Sequence, residues 1–163
     1  MTGIAISLAL SGCGDQQSRP PTAWHDVDAC ALVSAGEVAE IDNNTSAETV
    51  VRPERWREDY AVGCRWQAAS RERFLGIEIR PAGPDTASTA GPFVRDITVA
   101  GHPGRVTEER SSTCTVLVDL GAKSVMIHVQ PSVTKNRDAS GNAASCDARL
   151  PLLTSIVERV DRA

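Results

Sequence analysis

The five cysteines of this 163-residue chain constrain its fold more than any other feature of the sequence. Cys13 follows an apolar N-terminal run, and the other four, Cys30, Cys64, Cys114 and Cys146, are spread through the rest of the chain. In an exported protein, an even set of this kind indicates a disulfide framework. A metal site or a catalytic thiol has no support, because no Cys-x-x-Cys pair exists and no histidine lies at a zinc-ligand spacing from a cysteine.

The N-terminus itself indicates export. Leu10-Ser11-Gly12-Cys13 closes the apolar run Ile4 to Leu10 and precedes a polar segment. This layout is similar to the lipobox of bacterial lipoprotein signal peptides, in which small residues flank the cleaved bond and the cysteine thiol takes a diacylglyceryl group. We therefore expect residues 1–12 to be a signal peptide and Cys13 to anchor the protein at the extracytoplasmic face of the cell membrane. The alternative is a frayed apolar N-terminus with a stray cysteine.

The segments after the apolar run predict a short tether and one domain. Met1-Thr2-Gly3 lacks the Lys or Arg that usually begins a signal peptide, so either translation starts upstream of Met1 or cleavage is inefficient. Residues 13–23 comprise the lipidated cysteine and a polar, proline-stiffened tether. Residues 24–163 are expected to form a single extracytoplasmic domain with a modest core. Beyond the N-terminus, no apolar run approaches the ~18 residues that a membrane span needs.

Composition predicts a small, loop-rich domain that needs covalent support. The net charge of −4 comes from interspersed acids and bases, which gives no indication of a nucleic-acid surface. Four cysteines allow three pairings. We favour Cys30–Cys64 and Cys114–Cys146, because each bridge closes a loop of about 35 residues and ties a helix to a strand, contributing about 3–4 kcal/mol in the chain-entropy model.

Helical signals lie near both ends of the predicted domain. Asp26 or Asp28 can cap a first helix, and Ser34-Ala35-Gly36-Glu37 is a capping box, so we predict two helical turns, a slight break and two more turns. Near the C-terminus, an apolar stripe at helical spacing predicts a closing helix that packs on a sheet: Leu150, Leu153, Ile156, Val157 and Val160. Pro151 predicts a kink or a restart near Leu150.

The sequence between the helices alternates with a period of two, which predicts strands. Three pairs of segments are expected to form them, at 61–67 with 75–80, 97–99 with 105–107, and 114–120 with 125–129. The second pair is expected to turn at Gly101-His102-Pro103-Gly104. Residues 47–60 are ambiguous, although Pro53 argues against a central strand. Residues 81–92 are interpreted as a mobile surface loop, with a lid over a cleft as the alternative.

Together these patterns predict an α+β domain. We expect a curved, mostly antiparallel sheet of about five or six strands, with an N-terminal and a C-terminal helix packed against it and two disulfides. His102 and His128 are interpreted as solvated or structural residues rather than catalytic ones.

Three segments of the domain resemble a known family. Asp28–Val38, Gly63-Cys64-Arg65-Trp66 and Val99–Gly104 are similar to the motifs of actinobacterial envelope lipoproteins of domain-of-unknown-function family 3558, known best from mycobacterial relatives. Cys114 and Cys146 fall where that family has its third and fourth cysteines. The chain departs from the family at Ala29, where the family usually has proline, and at Pro151. The resemblance implies an envelope lipoprotein and provides no catalytic residues.

Three classes of function remain open. The first is a non-catalytic binding module that is attached to the membrane through its diacylglyceryl anchor and recognises an envelope protein or another envelope ligand. The second is a carrier or sensor of a small apolar ligand held between sheet and helices, which needs a pocket of a few hundred Å³. The third is an envelope hydrolase, which has the least support, because the chain lacks a nucleophile elbow, a phosphate loop and a metal cluster.

We therefore expect no catalytic residues, no cofactor, no metal and no nucleic-acid partner. For a binding module, the candidate surface patch consists of Trp24, Trp56 and Tyr60. The alternative is that these three aromatic residues pack in the core or at a sheet edge. Cys64 and Trp66 are expected to be buried together as structural anchors.

Overall fold

The computed structural model describes residues 23–41, 52–67, 73–83, 92–110, 113–130 and 146–163. The predicted signal peptide, Cys13 and nearly all of the tether lie outside the described residues. So do residues 68–72, between the first two predicted strands, and most of the loop predicted at 81–92.

The alternating segments of the sequence form one open sheet. The strands in chain order are β1 Arg52–Glu58, β2 Ala61–Gln67, β3 Arg73–Pro81, β4 Arg95–Val99, β5 His102–Glu109, β6 Cys114–Asp119 and β7 Lys123–Val129. Their order across the sheet is β1-β2-β3-β7-β6-β5-β4, and each of these neighbouring pairs is antiparallel. The sheet therefore has seven strands, more than the five or six predicted. The additional strand is β1, in the segment that was ambiguous, and it lies at the edge of the sheet where Pro53 is tolerated.

The turn between β4 and β5 lies nearer the N-terminus than the glycines and proline predict. Ala100 and Gly101 have positive φ angles of 52° and 83°, as a two-residue hairpin turn with the right twist requires. His102 and Pro103 therefore belong to β5 rather than to the turn. Pro103 faces Thr98, and this pair is one step from the hydrogen-bonded pair Val99–His102, so the register needs no N–H from the proline.

One face of the sheet, the inner face, carries the core. Alternate residues of the strands point into it and are almost fully buried: Val62, Cys64, Trp66, Leu75, Ile77, Ile79, Val99, Val106, Val116, Val118, Val125, Ile127 and Val129. Helix α2, Leu150–Arg162, covers this face with Leu153, Ile156, Val157 and Val160, which confirms the predicted apolar stripe. No helix in the described residues is long and apolar enough to cross a membrane.

The chain enters α2 through a 3-10 turn, Cys146–Arg149, and restarts at Leu150. Pro151 lies in the first turn of the helix, where its missing N–H has no intrahelical partner to lose. The alternative of a kinked helix is therefore not observed.

The predicted N-terminal helix is wrong in part. The chain forms two 3-10 turns, Trp24–Asp26 and Ala29–Leu32, followed by a seven-residue helix α1, Ala35–Ile41. Between the second turn and α1, Val33 is extended, with φ −133° and ψ 128°. Because of this break, both Leu32 and Val33 are buried. In one continuous surface helix, two neighbouring residues could not both be buried so completely. Tertiary packing has therefore overridden the local helical signal.

Both disulfides are present in the predicted pairing. Cys30 of the second 3-10 turn is bonded to Cys64 of β2, and Cys146 of the third turn is bonded to Cys114 of β6. Each bridge ties one of the helical segments to the inner face of the sheet. Cys64 and Trp66 are both buried there, as expected.

An ion pair joins the two ends of the domain. The predicted capping box forms, since the Glu37 carboxylate accepts from the backbone N–H and the hydroxyl of Ser34, and the Ser34 Oγ accepts from the Glu37 N–H. The guanidinium of Arg159 in α2 donates to both carboxylate oxygens of Glu37 and to the Leu32 carbonyl. Hydrogen bonds from Arg159 first, and from Ser34 next, lower the pKa of Glu37 from its ordinary value of 4.5 to about 2.

This ion pair predicts a specific dependence of stability on pH. Because the folded-state pKa lies below the unfolded one, the carboxylate stabilises the protein fully above pH 4.5 and progressively less as the pH falls toward 2. Glu37→Gln should therefore lower the free energy of unfolding by about 1–2 kcal/mol at pH 7, a range that allows for solvent screening of a side chain that is one-third exposed. Urea denaturation at several pH values should show the difference shrinking between pH 4.5 and 2.

The matched control is Glu158→Gln. Glu158 forms an exposed pair with Arg162 at 3.8 Å on the same helix, so its loss should change stability by less than about 0.5 kcal/mol. Equal effects of the two substitutions at every pH would contradict the role assigned to Glu37.

Candidate functional site

The candidate site lies on the outer face of the sheet, which is the face turned away from α2. Strand register places two rows of outer-face residues side by side across the sheet. One row runs Trp56, Gly63, Glu78, Met126 and Leu117, and the other runs Arg65, Gly76, His128 and Thr115. Both rows come from the strand positions that alternate with the core positions and therefore point to the opposite face.

Trp56 lies flat against its neighbouring strand because Gly63 has no side chain. A Cβ at position 63 would overlap the indole ring and would approach the Ile77 carbonyl oxygen to 2.7 Å. The guanidinium carbon of Arg65 lies over the ring, 5.2 Å from its centroid and within cation–π range. Two residues of β2, Gly63 and Arg65, therefore fix the orientation of the Trp56 ring.

Beside this indole is a shallow cleft of about 60 Å³, which we call the Trp56 cleft. Its walls are the side chains of Trp56, Arg65, Glu78, Met126 and His128, and Gly76 leaves space between the walls. This volume is well below the ~300 Å³ of the smallest typical ligand pockets. The Trp56 cleft can accept one side chain or one polar group of a partner rather than a whole small molecule.

Some polar groups in and around the Trp56 cleft have hydrogen-bond partners, and one does not. The Thr115 hydroxyl and His128 Nδ1 are 2.9 Å apart, and Arg80 donates to the Glu78 carboxylate. The indole Nε1–H of Trp56, by contrast, is buried and has no acceptor among the described residues. A buried donor without an acceptor costs about 1–3 kcal/mol, so Trp56 is held in place by its packing at a cost in hydrogen bonding.

A second, wider groove lies beside the Trp56 cleft. Thr115, which lines this groove, is hydrogen-bonded to His128 in the wall of the Trp56 cleft. This groove, which we call the Val94 groove, has a volume of about 410 Å³, and its lining is Pro92, Val94, Thr107, Glu108, Glu109, Arg110 and Thr115. Phe93 and Val94 are 59% and 48% exposed at its rim. The two clefts together extend from β1 to β5, five strand intervals or about 24 Å.

Glu109, one of the two acids that line the Val94 groove, makes structural contacts. Arg95 donates to both Glu109 oxygens at 2.9 and 3.1 Å and to Asp147 at 2.9 Å, and Glu109 also accepts from the Cys146 N–H. The contact with Arg95 is the main cause that lowers the pKa of Glu109 and raises that of Arg95. This network fastens the third 3-10 turn beside the Cys114–Cys146 bridge, so Glu109 serves the fold.

The predicted aromatic patch is divided in the structure. Trp24 packs against the core on the helix side of the sheet, whereas Trp56 lies on the outer face and Tyr60 is 60% exposed in the turn between β1 and β2. The sequence reasoning missed Arg65, Gly76 and Met126 as site residues. Their signal was the pair of glycines within strands, which indicates close approach to another group.

The described residues contain no group of three or more His, Cys, Asp or Glu side chains that could hold a metal ion. His128 bonds Thr115 on the outer face, and His102 lies 3.8 Å from Asp161 of α2 on the inner face.

Gly63, beneath Trp56, and Gly76, in the Trp56 cleft, predict opposite outcomes for the same substitution. Gly63→Ala should displace the Trp56 indole and lower the free energy of unfolding by about 1–3 kcal/mol, the usual cost of overpacking. Gly76→Ala should change stability by less than about 0.5 kcal/mol, because its Cβ would meet the Cβ of His128 at an ordinary 3.7 Å. Urea denaturation followed by tryptophan fluorescence measures both. Equal destabilisation by the two variants would contradict the packing of Trp56 on Gly63.

Comparison with known proteins gives one match. The family described as "Protein of unknown function (DUF3558)" matches residues 8–159, more than nine-tenths of the chain. No curated protein and no solved structure matches the sequence. The match includes every described strand and most of α2. The chain therefore belongs to the DUF3558 family.

Proposed function

We propose that this protein is a lipid-anchored lipoprotein of the actinobacterial cell envelope that acts as a non-catalytic binding module for another envelope protein. The observation that carries the binding role is the Trp56 indole, which packs on Gly63, contacts Arg65 and lines an open cleft. The lipobox-like segment ending at Cys13 supports the anchor, and the two disulfides suit an oxidising compartment.

The chemistry of the Trp56 cleft favours a protein partner. Tryptophan, arginine and methionine are enriched in protein interfaces, and tryptophan and arginine dominate the residues that carry most binding energy. Trp56 and Arg65 are held together, so little side-chain entropy is lost when they bind. The outer face carries both signs of charge, with Glu78 and Arg80 paired, which suits a mixed protein surface better than a polyanion. The partner would place one side chain or one polar group in the Trp56 cleft.

The burial of Thr115 and the ion pairs of the acids argue against the hypothesis of an envelope hydrolase. Thr115 is hydrogen-bonded to His128, as a nucleophile would be to a base, but it is only 7% exposed and cannot reach a substrate in this conformation. The acids Glu78 and Glu109 are each held by an arginine, and the pKa of Glu109 is lowered rather than raised toward neutrality.

The hypothesis of a carrier or sensor for a small apolar ligand also has less support than that of a binding module. Such a ligand would lie between the sheet and the helices, where the apolar residues pack into one cluster. The wider Val94 groove has enough volume for a ligand, but it lies outside the layer between sheet and helices, and Glu108, Glu109 and Arg110 form part of its lining.

Methionine photo-crosslinking tests the binding site directly. The chain has two methionines, Met1 and Met126. Expression in the presence of photo-methionine, followed by purification, therefore places one crosslinker in the described structure, in the wall of the Trp56 cleft. Irradiation in an extract of envelope proteins should give a discrete adduct. Trp56→Ala should reduce its yield by about tenfold, which corresponds to the ~1.4 kcal/mol or more expected of a central tryptophan.

The matched control moves the crosslinker to the other side of the domain. The double variant Met126→Leu/Leu152→Met carries the second methionine on α2, where Leu152 is partly exposed. It should not give the adduct. The same adduct from both positions, or an adduct unchanged by Trp56→Ala, would show that the Trp56 cleft is not the binding site.

The anchor is tested by metabolic labelling with an alkyne fatty acid in an actinobacterial host. The parent protein should take up the label, and Cys13→Ser should abolish it, because the acyl chains are carried by that thiol. The control Cys30→Ser/Cys64→Ser should retain the label. A parent protein that takes up none would refute the lipid anchor without bearing on the Trp56 cleft.

A further inference from the structure

The two edges of the sheet differ in what they offer to another strand. A strand at an edge exposes the backbone N–H and C=O groups of alternate residues, and natural proteins usually blunt such edges with proline, charge or a covering segment. In both edge hairpins the pair beside the two-residue turn is hydrogen-bonded, so the outward-pointing residues follow from the register.

The β1 edge is blunted. Its outward residues are Pro53, Arg55 and Arg57, so one N–H is missing and two arginines stand along the edge. Arg55 is paired with Asp28 at 2.6 Å, and Arg57 donates to the His25 carbonyl, so the N-terminal turns flank this edge. A second strand is thereby excluded from β1.

The β4 edge carries one acid but no proline, and no described segment covers it. Its outward residues are Asp96 and Thr98, both exposed, and no described residue pairs with them on that side. Ile97 lies between them, half-buried on the inner face, and the guanidinium of Arg95 is already held by Glu109 and Asp147. This edge therefore presents four backbone hydrogen-bonding groups, one apolar side chain, one acid and one hydroxyl.

These groups are complementary to themselves. When two β4 strands pair antiparallel about a two-fold axis at Ile97, Asp96 of each copy faces Thr98 of the other. All four outward groups of each copy are then used, which gives four backbone hydrogen bonds, and each Thr98 hydroxyl can donate to a carboxylate. The two Ile97 side chains meet on the inner face, and Val94, which is 48% exposed, meets Ala100.

The neighbouring register is less favourable. Shifting the axis to residue 96 places the two Asp96 carboxylates opposite each other, where like charges repel. Shifting the axis to residue 98 places Asp96 of each copy beside the turn of the other copy, so that only the backbone groups of Thr98 are used in hydrogen bonds between the strands. We propose that the protein associates with a second copy of itself through β4, centred on Ile97, to form a continuous fourteen-stranded sheet. This association is independent of the Trp56 cleft and of the lipid anchor.

The test is sedimentation velocity on the full chain carrying Cys13→Ser, which removes acylation and the one thiol outside the disulfides. With increasing concentration, the mass should rise from 17.3 kDa toward twice that value. Thr98→Asp places carboxylates opposite each other twice and should weaken the dimer by about tenfold or more.

The swapped variant Asp96→Thr/Thr98→Asp distinguishes the proposed register from a general effect of charge. It restores an acid opposite a hydroxyl in both pairs, so the dimer should regain the parent affinity to within about threefold. Both positions are exposed, and circular dichroism and melting temperature should match the parent protein. A protein that stays monomeric at every concentration, or a dimer insensitive to Thr98→Asp, or a swapped variant as weak as Thr98→Asp, would overturn the proposal.

Discussion

The contact between Arg159 and Glu37 joins segments 122 residues apart, and the N-terminal part of the domain depends on it. Two 3-10 turns and a seven-residue helix are too short to be stable alone, since isolated helices below ~12–15 residues are marginal in water. They hold their shape because Glu37 is fixed by Ser34 and Arg159 together, and because Cys30 is bonded to the sheet. The same arginine also binds the Leu32 carbonyl, which the break before α1 leaves without a helical partner.

The sequence predicts the central part of this fold well because burial on one face imposes a strict period of two. Leu75, Ile77 and Ile79, for example, can be assigned to a core strand without any other information, and all three are fully buried. Prediction fails where long-range contacts decide the local structure. β1 has a charged, proline-containing sequence and becomes a strand only because β2 provides a partner, and Val33 is extended because the packing of two adjacent apolar residues requires it.

The candidate site could be predicted far less completely, for a reason that lies in the geometry of sheets. Polar alternate positions resemble any solvated face in the sequence, and the rows Trp56–Gly63–Glu78–Met126 and Arg65–Gly76–His128–Thr115 exist only once register is known. The strand order places β7 beside β3, so the residues of one row come from distant parts of the chain. Aromatic residues could be selected from the sequence, but the face of the sheet on which each lies could not be predicted. Trp24 and Trp56 were therefore grouped in one patch, although they lie on opposite sides of the sheet.

The position of the Cys30–Cys64 bridge has a mechanical consequence. Tension applied to the N-terminus of the domain reaches Cys30 before it reaches β1, and the covalent bond passes the load directly into β2, the second strand of the sheet. The load therefore bypasses α1 and the edge strand, which would otherwise be peeled away one hydrogen bond at a time. Resistance to pulling then depends on the ladders that hold β2 between β1 and β3, which must be sheared together.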